Sequence, residues 1–222
     1  EKNLKQAAEL YELAAKQGNA QAQSNLGYCY EKGEGVAKDL SKAVKYYELA
    51  ANQGNAKAQC NLGVCYQNGQ GVEKNLKQAA ELYELSANQG NAQAQFNLGV
   101  CYQNGQGVEK NLKQAAELYE LAAKQGHADA QFNLGICYNN GQGVEKNLKQ
   151  AAELYELAAK QGNAQAQSNL GYCYEKGEGV AKDLSKAVKY YELAANQGNA
   201  KAQCNLGVCY QNGQGVEKNL KQ

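Results

Sequence analysis

Between Ala37 and Val72 the apolar residues follow two successive helical stripes. Leu40, Ala43, Val44, Tyr47, Ala50 and Ala51 recur at the i, i+3, i+4, i+7 spacing of an amphipathic helix. Asp39 stands just ahead of Leu40 as a short acceptor for an orphan first-turn amide, and Asn3, Asn75, Asn111 and Asn147 hold the same place elsewhere. Gly54 follows the last apolar residue and suits the left-handed position that ends a helix. A tight turn through Asn55 then leads to a second helix, predicted from about Ala56 to Gln67. Its inner face is Ala58, Leu62, Cys65 and Tyr66, with Gly63 allowing another helix to come close. The stretch Asn68-Gly69-Gln70-Gly71-Val72 stops that helix and returns the chain to Glu73-Lys74-Asn75.

The same two-helix phrase recurs with a period of 36 residues, opening at Glu1, Ala37, Glu73, Glu109, Glu145, Ala181 and Glu217. Above that period, residues 145–222 repeat residues 1–78 letter for letter. One such unit cannot bury its apolar face alone, so neighbours stack into a continuous core. The expectation is an all-α array over 1–222, with units 1–36, 37–72, 73–108, 109–144, 145–180 and 181–216 and a partial 217–222.

Composition removes several functions. Lys and the acidic residues nearly balance, at 23 and 22, for a formal charge of +1, and Arg is absent. That equips the chain poorly for gripping phosphates, so no nucleic-acid partner is expected. No stretch nears the ~20 apolar residues of a membrane-spanning helix, and no signal peptide is visible. The Gly-x-Gly turns lack the Gly-Lys-Ser/Thr of a phosphate loop and follow a helix rather than a strand. A single histidine, His127, replaces the turn Asn of Asn19 and Asn55 with no acid–base partner beside it, so neither catalysis nor a cofactor or metal is expected. Eight cysteines fall in two slots: Cys29, Cys65, Cys101, Cys137, Cys173 and Cys209 in one, Cys60 and Cys204 in the other. Neither slot forms a Cys-x-x-Cys pair, and buried free thiols in a reducing compartment are expected. Lys5 with Glu9, and Glu12 with Lys16, sit at i, i+4 spacing on the solvated side of the first helix.

The phrase Ala-x-Ala-Gln-x-Asn-Leu-Gly-x-Cys-Tyr-x-x-Gly-x-Gly-Val, then Tyr-Glu-Leu-Ala-Ala-x-Gln-Gly, resembles the Sel1-like repeat, a relative of the tetratricopeptide repeat. The match is carried by Ala43, Tyr47, Ala50, Ala51, Gly54, Ala56, Ala58, Leu62, Gly63, Tyr66, Gly69, Gly71 and Val72 and their counterparts, over the whole chain. The resemblance implies a right-handed α-α superhelix of antiparallel helix pairs, with the Ala-x-Ala-Gln helix on the concave side. It also implies a non-enzymatic adaptor that holds a protein or peptide partner. Secreted members carry a disulfide near the inter-helix turn. The matching places here, about Ala14 and Ala22, hold no cysteine, and a cytoplasmic setting is expected.

On the concave helix Gln21, Asn25, Tyr28 and Lys32 share one stripe, with Ser24 at its margin. Asn25 recurs as Asn61, Asn97, Asn133, Asn169 and Asn205, an amide ladder suited either to the backbone of an extended peptide or to helix packing. Beside it Tyr28 and Tyr172 alternate with Val64, Val100, Ile136 and Val208. Phe96 and Phe132, expected to adjoin one another, are either a partner's anchor or gap fillers. A second function competes with the scaffold. The end units read as ordinary copies without polar caps, which favours head-to-tail self-association into filaments.

Overall fold

A computed structural model describes residues 2–215, with nothing said of the Lys2 side chain. Among them are twelve α-helices and no strand, in two compact units. The first unit, Glu1–Asn111, holds α1 (Lys2–Lys16), α2 (Ala20–Lys32), α3 (Leu40–Asn52), α4 (Ala56–Asn68), α5 (Leu76–Asn88) and α6 (Ala92–Asn104). The second, Leu112–Gln222, holds α7 (Leu112–Lys124), α8 (Ala128–Asn140), α9 (Leu148–Lys160), α10 (Ala164–Lys176), α11 (Leu184–Asn196) and α12 (Ala200–Asn212). Within each unit every helix packs against the next one along the chain.

Helix limits follow local chemistry. Asp39, Asn75, Asn147 and Asp183 cap the odd-numbered helices α3, α5, α9 and α11, each side chain accepting from the backbone amide three residues on. Asn3 does not take that role, because α1 already includes it. Even-numbered helices begin behind Asn19, Asn55, Asn91, Asn163 and Asn199 and, for α8, behind His127. Gly54 ends the turn after α3 at φ 83°, and the Asn55 amide reaches back to the Ala50 carbonyl at 3.1 Å. Gly71, at φ 72°, leaves no room for a side chain: a Cβ there would run into the Leu40 carbonyl at the start of α3. That contact folds the loop after one helix pair back onto the pair itself.

The core of each unit is built from small residues around one large ring per pair. Ala43, Ala50 and Ala58 are fully buried beside Tyr47, and the same three slots hold alanine at Tyr155 and Tyr191, while at Tyr83 the middle one is Ser86, which donates to the Ala56 carbonyl at 2.7 Å. Close approach is set by glycine. A Cβ on Gly63 would lie 2.6 Å from the Tyr83 ring and 3.2 Å from the Ala79 carbonyl, and Gly27, Gly135 and Gly171 are pressed likewise by Tyr47, Tyr155 and Tyr191. The outer face of the odd helices carries Glu12–Lys16, Glu120–Lys124 and Glu156–Lys160 ion pairs at 2.7–2.9 Å. These run in the Glu-to-Lys direction that suits the helix dipole, and at this exposure water screens them strongly.

Candidate functional site

The candidate interface is the face of the even-numbered helices, where one partly exposed slot varies as Tyr28, Val64, Val100, Ile136, Tyr172 and Val208 beside the asparagine ladder. All six ladder asparagines, Asn25, Asn61, Asn97, Asn133, Asn169 and Asn205, are half-buried. Their amides are partly committed. Asn61, Asn97, Asn169 and Asn205 each face the hydroxyl of Tyr47, Tyr83, Tyr155 or Tyr191 and partly offset the rise in its pKa that burial causes, and the Asn97 amide also reaches the Cys60 sulfur at 4.0 Å. The Tyr47 hydroxyl in turn donates to Glu31 at 2.8 Å and that of Tyr191 to Glu175 at 2.8 Å, while Tyr83 donates to Gln67. The Tyr47, Tyr83 and Tyr191 rings are therefore tied to the helix before them. Burial pushes the Tyr155 hydroxyl up to about 12 and the other three further, so all four stay protonated at any ordinary pH.

The packing role of the ladder is thus visible, and it uses only part of each amide. An Asn side chain carries two donors and two acceptor lone pairs. Gln21 donates to Asn25 at 3.0 Å and Gln93 to Asn97 at 3.0 Å, along the exposed edge of the same helices. The next slot is more open. Tyr28 is 39% exposed, Tyr172 38% and Val208 45%, while Val64, Val100 and Ile136 are half-buried. Lys32 lies 5.7 Å from the Tyr28 ring centre, and Lys176 and Lys201 lie 5.6 and 5.9 Å from that of Tyr172. Cations thus stand over the aromatic faces within cation–π range.

The slot of Ser24 departs from expectation. Ser24 is not at the margin of the face but 1% exposed, as is Ser168, and neither hydroxyl has a hydrogen-bond partner. Cys60 is 3% exposed in the same slot, whereas Cys204 is exposed. The slot therefore points into the seam between neighbouring helix pairs, where a small residue fits. Phe96 and Phe132 are half-buried there, and the Phe132 ring packs 5.9 Å from Tyr155 in a tilted arrangement. Phe96 and Phe132 belong to different units, each described by itself.

One row of side chains escaped the sequence reading. The last Gln of each Ala-x-Ala-Gln except Gln203 is buried: Gln23 donates to the Ala15 carbonyl at 3.2 Å and accepts from Gln53 at 2.7 Å. Gln59 with Ala51 and Gln89, Gln131 with Ala123 and Gln161, and Gln167 with Ala159 and Gln197 repeat the arrangement. Each clamp ties the end of one odd helix to the turn after the next. Its signal in the sequence is the recurrence of Gln at both ends of a 30-residue interval.

The chemistry of the face is that of contact. Among the described residues no three of His, Cys, Asp and Glu gather to hold a metal ion, and no helix is long and apolar enough to cross a membrane. All eight cysteines are free; burial pushes Cys60, Cys65, Cys101, Cys137 and Cys173 up to about 11, which keeps them as thiols.

Comparison with known proteins gives one family. The profile of the Sel1 repeat matches residues 1–19, 20–55, 56–91, 92–127, 128–163, 164–199 and 200–222, a frame that starts at the even helices. No curated protein sequence matches the chain. Among solved structures it is similar to c5321, a protective antigen of uropathogenic Escherichia coli displaying an SLR fold, with 37% identity and a TM-score of 0.90 over 96% of this chain. The chain spans 45% of that antigen's length. A Sel1 repeat protein from Oxalobacter formigenes shares 37% identity with a TM-score of 0.89, covering 99% of this chain and 88% of that one. Immunity protein Pa5087 from Pseudomonas aeruginosa is more distant, at 27% identity and a TM-score of 0.53 over 83% of this chain and 68% of its own.

Proposed function

The chain belongs to the Sel1 repeat family, whose members generally serve as protein–protein interaction scaffolds on a typically non-catalytic fold, and from that premise we propose that its even-helix face holds an extended protein segment. The observation that carries this reading is the half-buried asparagine ladder flanked by exposed Tyr28 and Tyr172. A row used purely for packing would be sealed. This one keeps unused amide capacity beside aromatic rings, which is what a peptide backbone and its side chains require. The tyrosines supply rigid contact area beneath Lys32 and Lys176, whose charges Glu31 and Glu175 already pair.

Extended peptides selected from a random library on the intact chain test the reading. Asn61→Ala with Asn169→Ala, and separately Tyr28→Ser with Tyr172→Ser, are expected to weaken the selected peptides while far-ultraviolet circular dichroism stays unchanged. Helicity lost in step with binding would make the row structural and refute the proposal. Light scattering across a concentration series separates it from the filament reading: a scaffold stays monomeric, and mass growing with concentration would make stacking the function.

A further inference from the structure

The odd-helix side of the molecule is not uniform. Within each unit a cleft runs between one odd helix and the next, floored by the even helix between them, and one slot on its second wall decides whether it is filled. Where the second wall carries Tyr46 or Tyr190, that ring stacks on Tyr30 or Tyr174 with centres 5.7 and 5.8 Å apart and planes within 2°. Lys42 and Lys186 then close the stack from above, at 5.3 and 5.1 Å. Where the same slot holds Leu82 or Leu154, the cleft is open.

The open cleft of the first unit has a volume of about 240 Å³, with Leu62 as its floor and Tyr66, Leu82 and Leu85 as walls. Its equivalent in the second unit measures about 280 Å³ over Leu134, between Tyr138, Leu154 and Leu157. Leu85 and Leu157 stand 53% and 47% exposed at the lips. These volumes fall just under the usual range for small-molecule sites, about 300–1,000 Å³, and suit one or two side chains.

Charge changes together with shape. The filled clefts carry Lys42 and Lys45, or Lys186 and Lys189, and the open ones have Gln78 and Glu81, or Gln150 and Glu153, in those slots. Glu48 lines the first open cleft; Glu120, paired with Lys124 at 2.7 Å, and Glu153 line the second. An open cleft is therefore an apolar slot with one uncompensated carboxylate at its rim, Glu48 in the first and Glu153 in the second, where Lys124 also lines the cleft and offsets Glu120. Glu81 stands outside the first lining, and the chain's net charge of +1 offers no general attraction to cations.

We propose that these two clefts are a second interaction surface, each taking an apolar side chain from a protein segment that sets Lys or Arg beside it. The surface lies on the odd helices and does not depend on the even-helix ladder. The chain itself supplies the plug for the test, because Leu82→Tyr and Leu154→Tyr copy what already stands at Tyr46 and Tyr190.

The probe is a fluorescein-labelled amphipathic helical peptide of Leu and Lys, read by anisotropy at low salt, with the same peptide carrying Glu for Lys as its comparison. The Leu/Lys peptide is expected to bind and to shift the methyl resonances of Leu82, Leu85, Leu154 and Leu157. The double Tyr variant should lose at least about tenfold in affinity while melting no lower than the parent chain. Glu48→Lys with Glu153→Lys should weaken binding with the clefts left open, which tests the rim even if the Tyr variants fail to fold. Asn61→Ala with Asn169→Ala should leave this binding intact, so the two surfaces fail independently. Equal binding of the acidic peptide, no effect of the Tyr or Lys variants, shifts confined to Val64 and Ile136, or no binding would each overturn the proposal. So would self-association of the parent chain that the Tyr variant abolishes, since a second copy would then be the occupant.

Discussion

The same substitution in the same slot should change sign with its surroundings. Gly63→Ala puts a methyl 2.6 Å from the Tyr83 ring and 3.2 Å from a backbone carbonyl. Tyr83 cannot retreat: it is fully buried and its hydroxyl donates to Gln67. Overpacking of this kind costs about 1–3 kcal/mol. Alanine returns about 1 kcal/mol over glycine inside a helix, leaving a net loss of up to about 2 kcal/mol. Gly207 sits in the equivalent place in α12, where a Cβ would meet nothing within 4 Å. There only the propensity gain remains, about 1 kcal/mol in the stabilising direction. For a chain of this size each kcal/mol moves the melting temperature by about 2–4 °C. Thermal melts followed by circular dichroism should therefore lower Tm for Gly63→Ala and raise it for Gly207→Ala. Equal shifts in one direction would refute the view that the Tyr ring, rather than backbone flexibility, demands the glycine.

Three further outcomes follow from the same geometry. Gln59→Ala should destabilise by about 1 kcal/mol rather than the ~3 of a stranded polar group, because the Ala51 carbonyl keeps the Gly54 amide and Gln89 keeps the Leu85 carbonyl. A double-mutant cycle with Gln89→Ala in urea measures the coupling, and strict additivity would count against a clamp. His127 caps α8 by accepting the Ala130 amide at 3.3 Å on Nδ1, which only the neutral ring can do, and burial holds its pKa below 6.5. Its contribution is thus complete above 6.5 and lost as pH falls through the lower folded value, so urea titrations at stepped pH should show a slope that His127→Asn removes. A thiol-reactive dye under native conditions should label Cys204 fast and the seven buried cysteines slowly, all eight reacting alike once denatured.

What the sequence made legible is what local rules decide. The Asp39 cap, the Gly54 turn and the stripe from Leu40 to Ala51 depend on neighbours within a few residues, and each stands where the pattern puts it. The site was legible only as a set of slots. Gln23 reads as solvent-facing because it is polar, yet it is 4% exposed, and its partner Gln53 lies a whole helix pair away. Ser24 misled for the converse reason: a small polar residue at the edge of a stripe says nothing about which neighbour closes over it. Leu49 and Leu85 look like core and are 42% and 53% exposed, since a second helix layer covers only one side of each odd helix.

Those exposed leucines also show how to separate packing from recognition in a chain whose units are nearly copies. A slot that never varies, such as that of Tyr47, Tyr83, Tyr119, Tyr155 and Tyr191, is fixed by the space between helices. A slot that varies alone, such as Tyr28 against Val64, costs the fold little, because its side chain stands partly in solvent. The clefts belong to neither class. Tyr46 comes with Lys42 and Lys45, and Leu82 with Gln78 and Glu81, within a block in which Ala37, Asp39, Ser41 and Val44 also become Glu73, Asn75, Lys77 and Ala80. Packing explains the closed form, in which ring stacks on ring under an ammonium group. Packing does not explain why the open form also exchanges lysine for glutamate, since an unfilled cleft gains nothing from a carboxylate at its rim. A basic, apolar occupant gives that exchange a physical reason.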